Sequence, residues 1–232
     1  MKRLSIFCLT LIVLFSSAII LFTSCKAKDN RTHFMLETNM GNIEFALYNE
    51  TPLHRDNYIK LIREGFFDGV LFHRVINDFM IQSGDPDSKD AKPGEFLGEG
   101  GPDYLINSEF RLPKIYHRRG VLGAAREGND INPEMKSCAS QFYIVTGKVF
   151  DDKMIKKVQE RLNKVVNPVT LTPEMIEAYK TVGGTPHLDG QYTIFGEVVR
   201  GMNVVDKIQK VKTDENDRPL KDVRIIRAYI IE

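Results

Sequence analysis

The run Phe72-His73-Arg74-Val75-Ile76-Asn77-Asp78-Phe79-Met80-Ile81-Gln82-Ser83-Gly84-Asp85 decides how this chain is read. Its β-prone residues form two stretches, 70–76 and 79–83, that read as strands. Side chains alternate along a strand, so Arg74 and Ile76 share one face while His73 and Val75 share the other. Asn77-Asp78 is a two-residue break that can re-aim the chain before Phe79, Met80 and Gln82. Periodicity alone fits an apolar strand pair with one incidental surface Arg as well as a site built around that Arg.

Upstream, residues 33–38 and 42–48 are β-prone, with Asn39-Met40-Gly41 as the turn of an antiparallel hairpin. Thr51-Pro52 supplies a helix N-cap and a Pro at the first helical position. Leu53, Asn57-Tyr58 and Leu61-Ile62 then recur at helical spacing until Gly65. Downstream, residues 86–101 form a long loop rich in Gly, Asp and Lys, and strand-like runs return at 120–125, 141–146, 192–199 and 223–231. The second half holds one clearly helical block, 151–182. Asp151 or Asp152 caps a first helix with Met154, Val158, Leu162 and Val165 or Val166 as its apolar stripe, and Asn167-Pro168 stops it. Thr172-Pro173 starts a second, with Met175-Ile176, Tyr179 and Val182 apolar before Gly183-Gly184. This block is expected to be an αα-hairpin docked through its stripes. Many strands and few helices in about 200 residues favour a single all-β barrel or sandwich with helical additions. Topology does not follow from the pattern.

The chain has 232 residues, 42% apolar and 27% charged, with 32 Lys and Arg against 31 Asp and Glu. Those proportions exclude a disordered chain and a multi-span membrane protein. A formal charge of +1 gives no reason to expect nucleic acid as a partner. The average hides a break near the N-terminus. After Met1-Lys2-Arg3, residues 4–22 carry no charge, and Thr23-Ser24-Cys25 precede a polar run. Basic start, apolar middle and small residues form the layout of an export signal. The small residues before Cys25 resemble a bacterial lipobox, with Phe22 where that pattern usually has Leu, whereas an uncleaved stretch of this length could also just span a bilayer. The expectation is a signal at 1–24, lipidation of Cys25 and a tether at 25–32. The resulting 208-residue protein, at −1 once two positive charges are lost, would be lipid-anchored in the bacterial cell envelope outside the cytoplasm, on the periplasmic side. With Cys8 in the signal and Cys25 acylated, Cys138 has no disulfide partner and reads as a small, partly buried residue.

Other chemistries lack a motif. There is no H-E-x-x-H, no paired CxxC and no G-x-S-x-G, and the five His residues are scattered without ligand spacing. Gly98-Glu99-Gly100-Gly101 is not followed by Gly-Lys-Ser/Thr, so it is not a phosphate cradle. No metal or cofactor is expected.

The run at 72–85 resembles the diagnostic block of the cyclophilins, the cyclosporin-binding peptidyl-prolyl cis-trans isomerases, F-H-R-V-I-x-x-F-M-x-Q-x-G-D, and matches every specified position. Further blocks follow in family order: Arg63-Glu64-Gly65-Phe66-Phe67-Asp68-Gly69, Gly98-Glu99-Gly100-Gly101-Pro102-Asp103-Tyr104, Gly120-Val121-Leu122-Gly123-Ala124-Ala125-Arg126, Ser140-Gln141-Phe142-Tyr143-Ile144, Leu188-Asp189-Gly190 and Thr193-Ile194-Phe195-Gly196-Glu197-Val198. The resemblance covers residues 33–232 apart from 151–182, which looks like an insertion. It implies a closed eight-stranded antiparallel β-barrel capped by two helices.

By the same resemblance, Arg74 is the donor that stabilises a twisting X-Pro amide, with Gln82 and Phe79 as its catalytic companions. Phe79, Met80, Tyr143 and Leu188 line the proline pocket, Gln82 and Gln141 hold Arg74 and the substrate backbone, and Ala125 and Arg126 contribute main-chain contacts. Gly98 matches a loop glycine beside the groove. His187 and Tyr192 complete the substrate-binding set. Four positions depart from the pattern. Tyr143 stands where Phe is usual, so its hydroxyl needs a partner. Arg126 replaces an Asn. His187 stands where cyclosporin-sensitive members carry Trp, which implies weaker drug binding. Tyr192 replaces a His. Partners implied are proline-containing polypeptides and, through the lipid, a membrane, with a monomeric protein. Two rival readings are a non-catalytic proline-peptide-binding or chaperone-like module and a structural envelope protein tethered to a partner.

Overall fold

Alternating apolar residues build the first hairpin. In the computed structural model, which describes residues 29–231, β1 (Thr32–Thr38) and β2 (Gly41–Leu47) pair antiparallel with Phe34 opposite Phe45 and Leu36 opposite Ile43. The two Phe rings stack with centroids 4.8 Å apart. Two units divide the chain, Met1–Asn30 and Arg31–Glu232. Only residues 29 and 30 of the first are described, so the proposed signal and Cys25 lie outside the described residues.

Helix α1 (Pro52–Arg63) starts where Thr51-Pro52 places it, but Thr51 does not cap it. Its hydroxyl donates to the Tyr48 carbonyl. The helix-start amides of Leu53 and His54, which have no partner within the helix, donate instead to the buried carboxylate of Glu109, at 3.3 and 3.0 Å, and His54 Nδ1 meets the same group at 2.7 Å. A carboxylate there also meets the positive end of the helix dipole.

Strands β3 (Arg74–Ile76) and β4 (Met80–Ser83) form the predicted pair, turned by Asn77 and Asp78, the latter at φ 58°. The remaining strands are β5 (Leu105–Ile106), β6 (Val121–Ala124), β7 (Ser137–Cys138), β8 (Phe142–Val145), β9 (Ile194–Arg200) and β10 (Ile225–Ile231). Eight of them make one antiparallel sheet in the order β10-β1-β2-β9-β6-β8-β4-β3, while β5 and β7 form a small separate ribbon.

The closed barrel expected from the resemblance is not formed: the sheet is a curled, open half-barrel. An isolated bridge, Leu71 to Arg224, with Gly69 N–H also donating to the Ile225 carbonyl, links the segments that lead into its two edge strands. The reason is local. β3 is only three residues long, and the chain that faces it, residues 213–219, bends back on itself through a Thr213–Pro219 bridge with Asp217 at φ 62°. β3 therefore finds a loop acceptor, with Val75 N–H donating to the Asp217 carbonyl at 2.8 Å, rather than a strand.

Helices α2 (Asp152–Leu162) and α3 (Pro173–Thr181) occupy residues 151–182, capped by Asp151, one of the two candidates, and by Thr172. Their buried residues are Ile155 and Leu162, and Met175 and Tyr179. Ile155, which the expected stripe omitted, is buried, Met154 and Val158 are half-buried, and Val166 is 69% exposed because the helix ends before it. A short helix that the pattern did not reveal, α4 (Met202–Ile208), buries Val204, Val205 and Ile208. With Tyr58, Leu61 and Ile62 of α1 they pack on one side of the sheet against Phe45, Phe142 and Phe195. A second cluster, Met80, Val121, Tyr143, Val145 and Ile194, lies on the other side. The candidate site opens above that second cluster. Among the described residues no helix is long and apolar enough to cross a membrane.

Candidate functional site

Antiparallel register assembles the site. Arg74 on β3 lies opposite Gln82 on β4, Gln82 lies opposite Tyr143 on β8, and Tyr143 lies opposite Gly123 on β6, so four strands deliver one residue each to a single row. A cavity of about 460 Å³ opens over this row. Its lining includes Arg74, Phe79, Met80, Gln82, Gly98, Ala125, Arg126, Gln141, Tyr143, Leu188 and Tyr192. His187 alone of the expected substrate-binding residues lies outside it. The imidazole stacks on the back of Phe79, with centroids 5.5 Å apart, and faces a second cavity.

The polar wall is held by a chain of amides. Gln82 Nε2 donates to Gln141 Oε1 at 3.0 Å, and Gln141 Nε2 donates to the carbonyls of Gly98 and Gly100 at 2.8 and 2.9 Å. Gln141 is buried, so these bonds fix its amide orientation and tie the loop at 94–101 to the sheet. Gly98 sits at φ 111°, a conformation that favours glycine, and its N–H donates to Asp85. Arg74 remains half-exposed, and its Nε lies 3.4 Å from Asp217, itself 41% exposed. An ion pair so open to water holds the guanidinium only weakly. Arg74 is thus aimed at the cavity with its donors largely free.

Main-chain groups separate in a way the sequence did not show. Ala125 N–H donates to Gln141 and its carbonyl accepts from Cys138, so both are used inside the fold. Arg126 N–H and C=O make no such bond among the described residues. Its side chain is folded away, with Nε donating to the Gln191 carbonyl and the guanidinium 4.6 Å from the Tyr192 ring centroid. A stacked, tethered Arg can therefore stand where Asn is usual without filling the groove.

The hydroxyl of Tyr143 has the partner it needs. His117 Nδ1 lies 2.8 Å from Asp189 Oδ1, and Nε2 lies 2.8 Å from the Tyr143 hydroxyl. The imidazole thus bridges the carboxylate and the phenol, one ring nitrogen on each. Asp189 also accepts from the His117 backbone N–H at 2.8 Å and from the Tyr179 hydroxyl at 2.6 Å. All four residues are buried. Burial, and for Tyr179 the neighbouring carboxylate, push both phenols well above the usual tyrosine range, so both remain donors. A continuous buried chain, Tyr143–His117–Asp189–Tyr179, thus runs from the cavity floor to α3. Tyr143 and Asp189 fall within recognisable family blocks, whereas His117 and Tyr179 belong to none. The ring itself fits because Gly123 lies beneath it: a Cβ there would stand 2.3 Å from Tyr143 Cζ.

His73 lies behind Gly98, buried, with neither ring nitrogen hydrogen-bonded to a side chain among the described residues. Burial lowers its pKa to about 4, against the opposing pull of Asp85. Neutral at pH 7, it is a packing wall of the cavity. Cys138 also touches the cavity, and burial raises its thiol pKa, which makes it less nucleophilic. Glu95, Phe96, Asn216, Asp217 and Arg218 form a rim that the sequence reading did not include, because two loops distant in the chain supply it. No cluster among the described residues could hold a metal ion.

Comparison with known proteins agrees with this geometry. The profile of the family described as cyclophilin type peptidyl-prolyl cis-trans isomerase/CLD matches residues 33–230. A Staphylococcus epidermidis protein named as a peptidyl-prolyl cis-trans isomerase is 32% identical over 206 residues, 88% of this chain and 94% of that protein. One of the same name from Staphylococcus aureus is 33% identical over 199 residues, 85% and 90% of the two chains. The crystal structure of a Cryptosporidium parvum cyclophilin type peptidyl-prolyl cis-trans isomerase superposes with a TM-score of 0.63 at 22% identity, covering 87% of this chain and 98% of that one. A second crystal structure of that protein, obtained in the presence of the dipeptide Ala-Pro, gives 0.62. The fold, the cavity and the family match converge on one conclusion: this chain belongs to the cyclophilin-type peptidyl-prolyl cis-trans isomerases.

Proposed function

We propose that the cavity turns over X-Pro bonds with Arg74 as the donor to the twisting amide. Rotation about the C–N bond must break its partial double-bond character, a barrier of about 18–20 kcal/mol, and no covalent bond is made or broken. As the amide twists, its nitrogen becomes pyramidal and gains a lone pair. A guanidinium hydrogen-bonds that lone pair more strongly than the planar ground state, which is the differential stabilisation that lowers a barrier. Phe79, Met80, Tyr143 and Leu188 hold the proline ring, Arg126 pairs with the substrate main chain, and Gln82 and Gln141 keep the polar wall in register. The observation that carries this reading is the open, weakly paired Arg74 beside those apolar side chains in one cavity.

The test is a proline-peptide isomerisation assay on residues 26–232. Arg74→Ala and Arg74→Lys are each expected to lower kcat/KM by about 10²–10³, in line with loss of one transition-state donor. Near-native turnover in Arg74→Ala would overturn the mechanism. Weak inhibition by cyclosporin is expected, since His187 stands where sensitive relatives carry Trp.

The clients are exported or envelope polypeptides, met by a monomeric isomerase held at the membrane through a lipid on Cys25. The support is the sequence of residues 1–25. Slow prolyl isomerisation, tens of seconds uncatalysed, gives the activity a purpose there. Metabolic labelling with a fatty acid should mark the wild-type chain and not Cys25→Ala, and labelling of both would refute the anchor.

A further inference from the structure

On the far side of the Phe79–His187 stack lies the second cavity, of about 340 Å³, between the sheet and α2. Its floor is apolar, formed by Phe79, Phe150, Met154 and Val158. Lys148, Lys157 and Arg161 stand around it, all exposed and none with an ion-pair partner among the described residues, and Asp78 is the one carboxylate in the lining. The two cavities share Phe79 and one short turn, Pro186–Leu188, which sends Leu188 into the first and His187 into the second. Three residues of extended chain span about 10 Å, enough to pass over a ring stack with centroids 5.5 Å apart.

We propose that this second cavity is an extension of the substrate groove that receives client residues flanking the proline and selects those with acidic side chains. The inference rests on the isomerase reading of the first cavity and adds a specificity to it. Lys148, Lys157 and Arg161 supply unpaired positive charge where a carboxylate of the client would lie, and the apolar floor takes the stems of the same residues. His187 makes no side-chain hydrogen bond among the described residues, and burial with Arg161 and Lys148 nearby lowers its pKa to about 4. The neutral ring offers one donor and one acceptor, which suits a peptide main chain. Two of the three cations come from α2, so the insertion is what makes this groove differ from a plain cyclophilin site.

The test compares the full chain with a Lys157→Glu, Arg161→Glu double variant on three substrates: a four-residue Ala-Pro peptide, and longer peptides carrying either three Glu or three Lys within four positions on each side of the proline. The wild type should favour the Glu peptide over the Lys peptide in kcat/KM by about three- to tenfold at low salt, with the preference collapsing at high salt. The double variant should lose or invert that preference while its turnover of the four-residue peptide stays unchanged. Equal turnover of the two long peptides by the wild type, with the short one still isomerised, overturns the extended groove and leaves the isomerase reading intact. So does a double variant that keeps the preference, or one whose only loss is binding to vesicles of anionic phospholipid. Absence of turnover on the four-residue peptide overturns the isomerase reading itself.

Discussion

Replacing Tyr179 by Phe deletes one oxygen atom from the buried chain that ends at the cavity floor. The ring stays, in contact with Tyr116 and Phe150, so packing is nearly conserved and the measured change belongs to the hydrogen bond. That bond is 2.6 Å long, lies out of solvent and ends on a carboxylate. Hydrogen bonds to charged groups are worth about 1.5–3 kcal/mol. Asp189 keeps its two bonds from His117, which argues against a larger collapse. A domain of about 200 residues loses about 2–4 °C in Tm for each kcal/mol, so thermal unfolding should begin about 3–12 °C lower. Typical stabilities of about 5–15 kcal/mol leave the variant folded at 25 °C, where isomerase activity can be compared directly. A cycle with Tyr143→Phe then asks whether the chain acts as a unit. Coupling of at least about 0.5 kcal/mol between these two residues is expected if His117 and Asp189 transmit between them. A Tm within about 1 °C of wild type, or strict additivity in the cycle, would refute the connection.

Gly123→Ala drives a methyl group into the Tyr143 ring, and overpacking of this kind costs about 1–3 kcal/mol; denaturant unfolding should show that loss, together with reduced proline-peptide turnover. His73 titrates near pH 4 in the folded protein and near 6.5 unfolded, so the unfolded state binds more protons between those values and stability falls as pH drops through that window. His73→Leu should flatten the stability profile between pH 6.5 and 4, and an unchanged slope would show that the ring is not the group responsible.

Where structure depends on neighbours in the chain, the sequence was informative. Alternation found the β1–β2 and β3–β4 hairpins, and Asp151 and Thr172 marked the starts of α2 and α3 because a capping side chain bonds only three residues ahead. What was missed depends on partners brought in by folding. Thr51 has the right identity for a cap, yet Glu109, more than fifty residues away, reaches the α1 amides and takes its place. Seven residues are too few for α4 to declare a helical period. The open seam arises because residues 213–219 fold on themselves, which no strand propensity in β10 foretells. In the site, the family blocks bring Arg74, Phe79, Gln82, Gln141 and Tyr143 into one cavity. The support beneath Tyr143 was not legible, since His117 belongs to no motif.

That support also limits how residues 151–182 can be exchanged. Transplanting residues 151–182 into a shorter relative would carry Tyr179 without ensuring a carboxylate and an imidazole to receive it. Excising them here would strip Asp189 of one of its three hydrogen-bond donors and expose the apolar surface that packs on Phe150 and Leu112. Residues 151–182, His117 and Asp189 therefore constitute one structural cassette, and protein engineers who swap helices among these isomerases should move the three together.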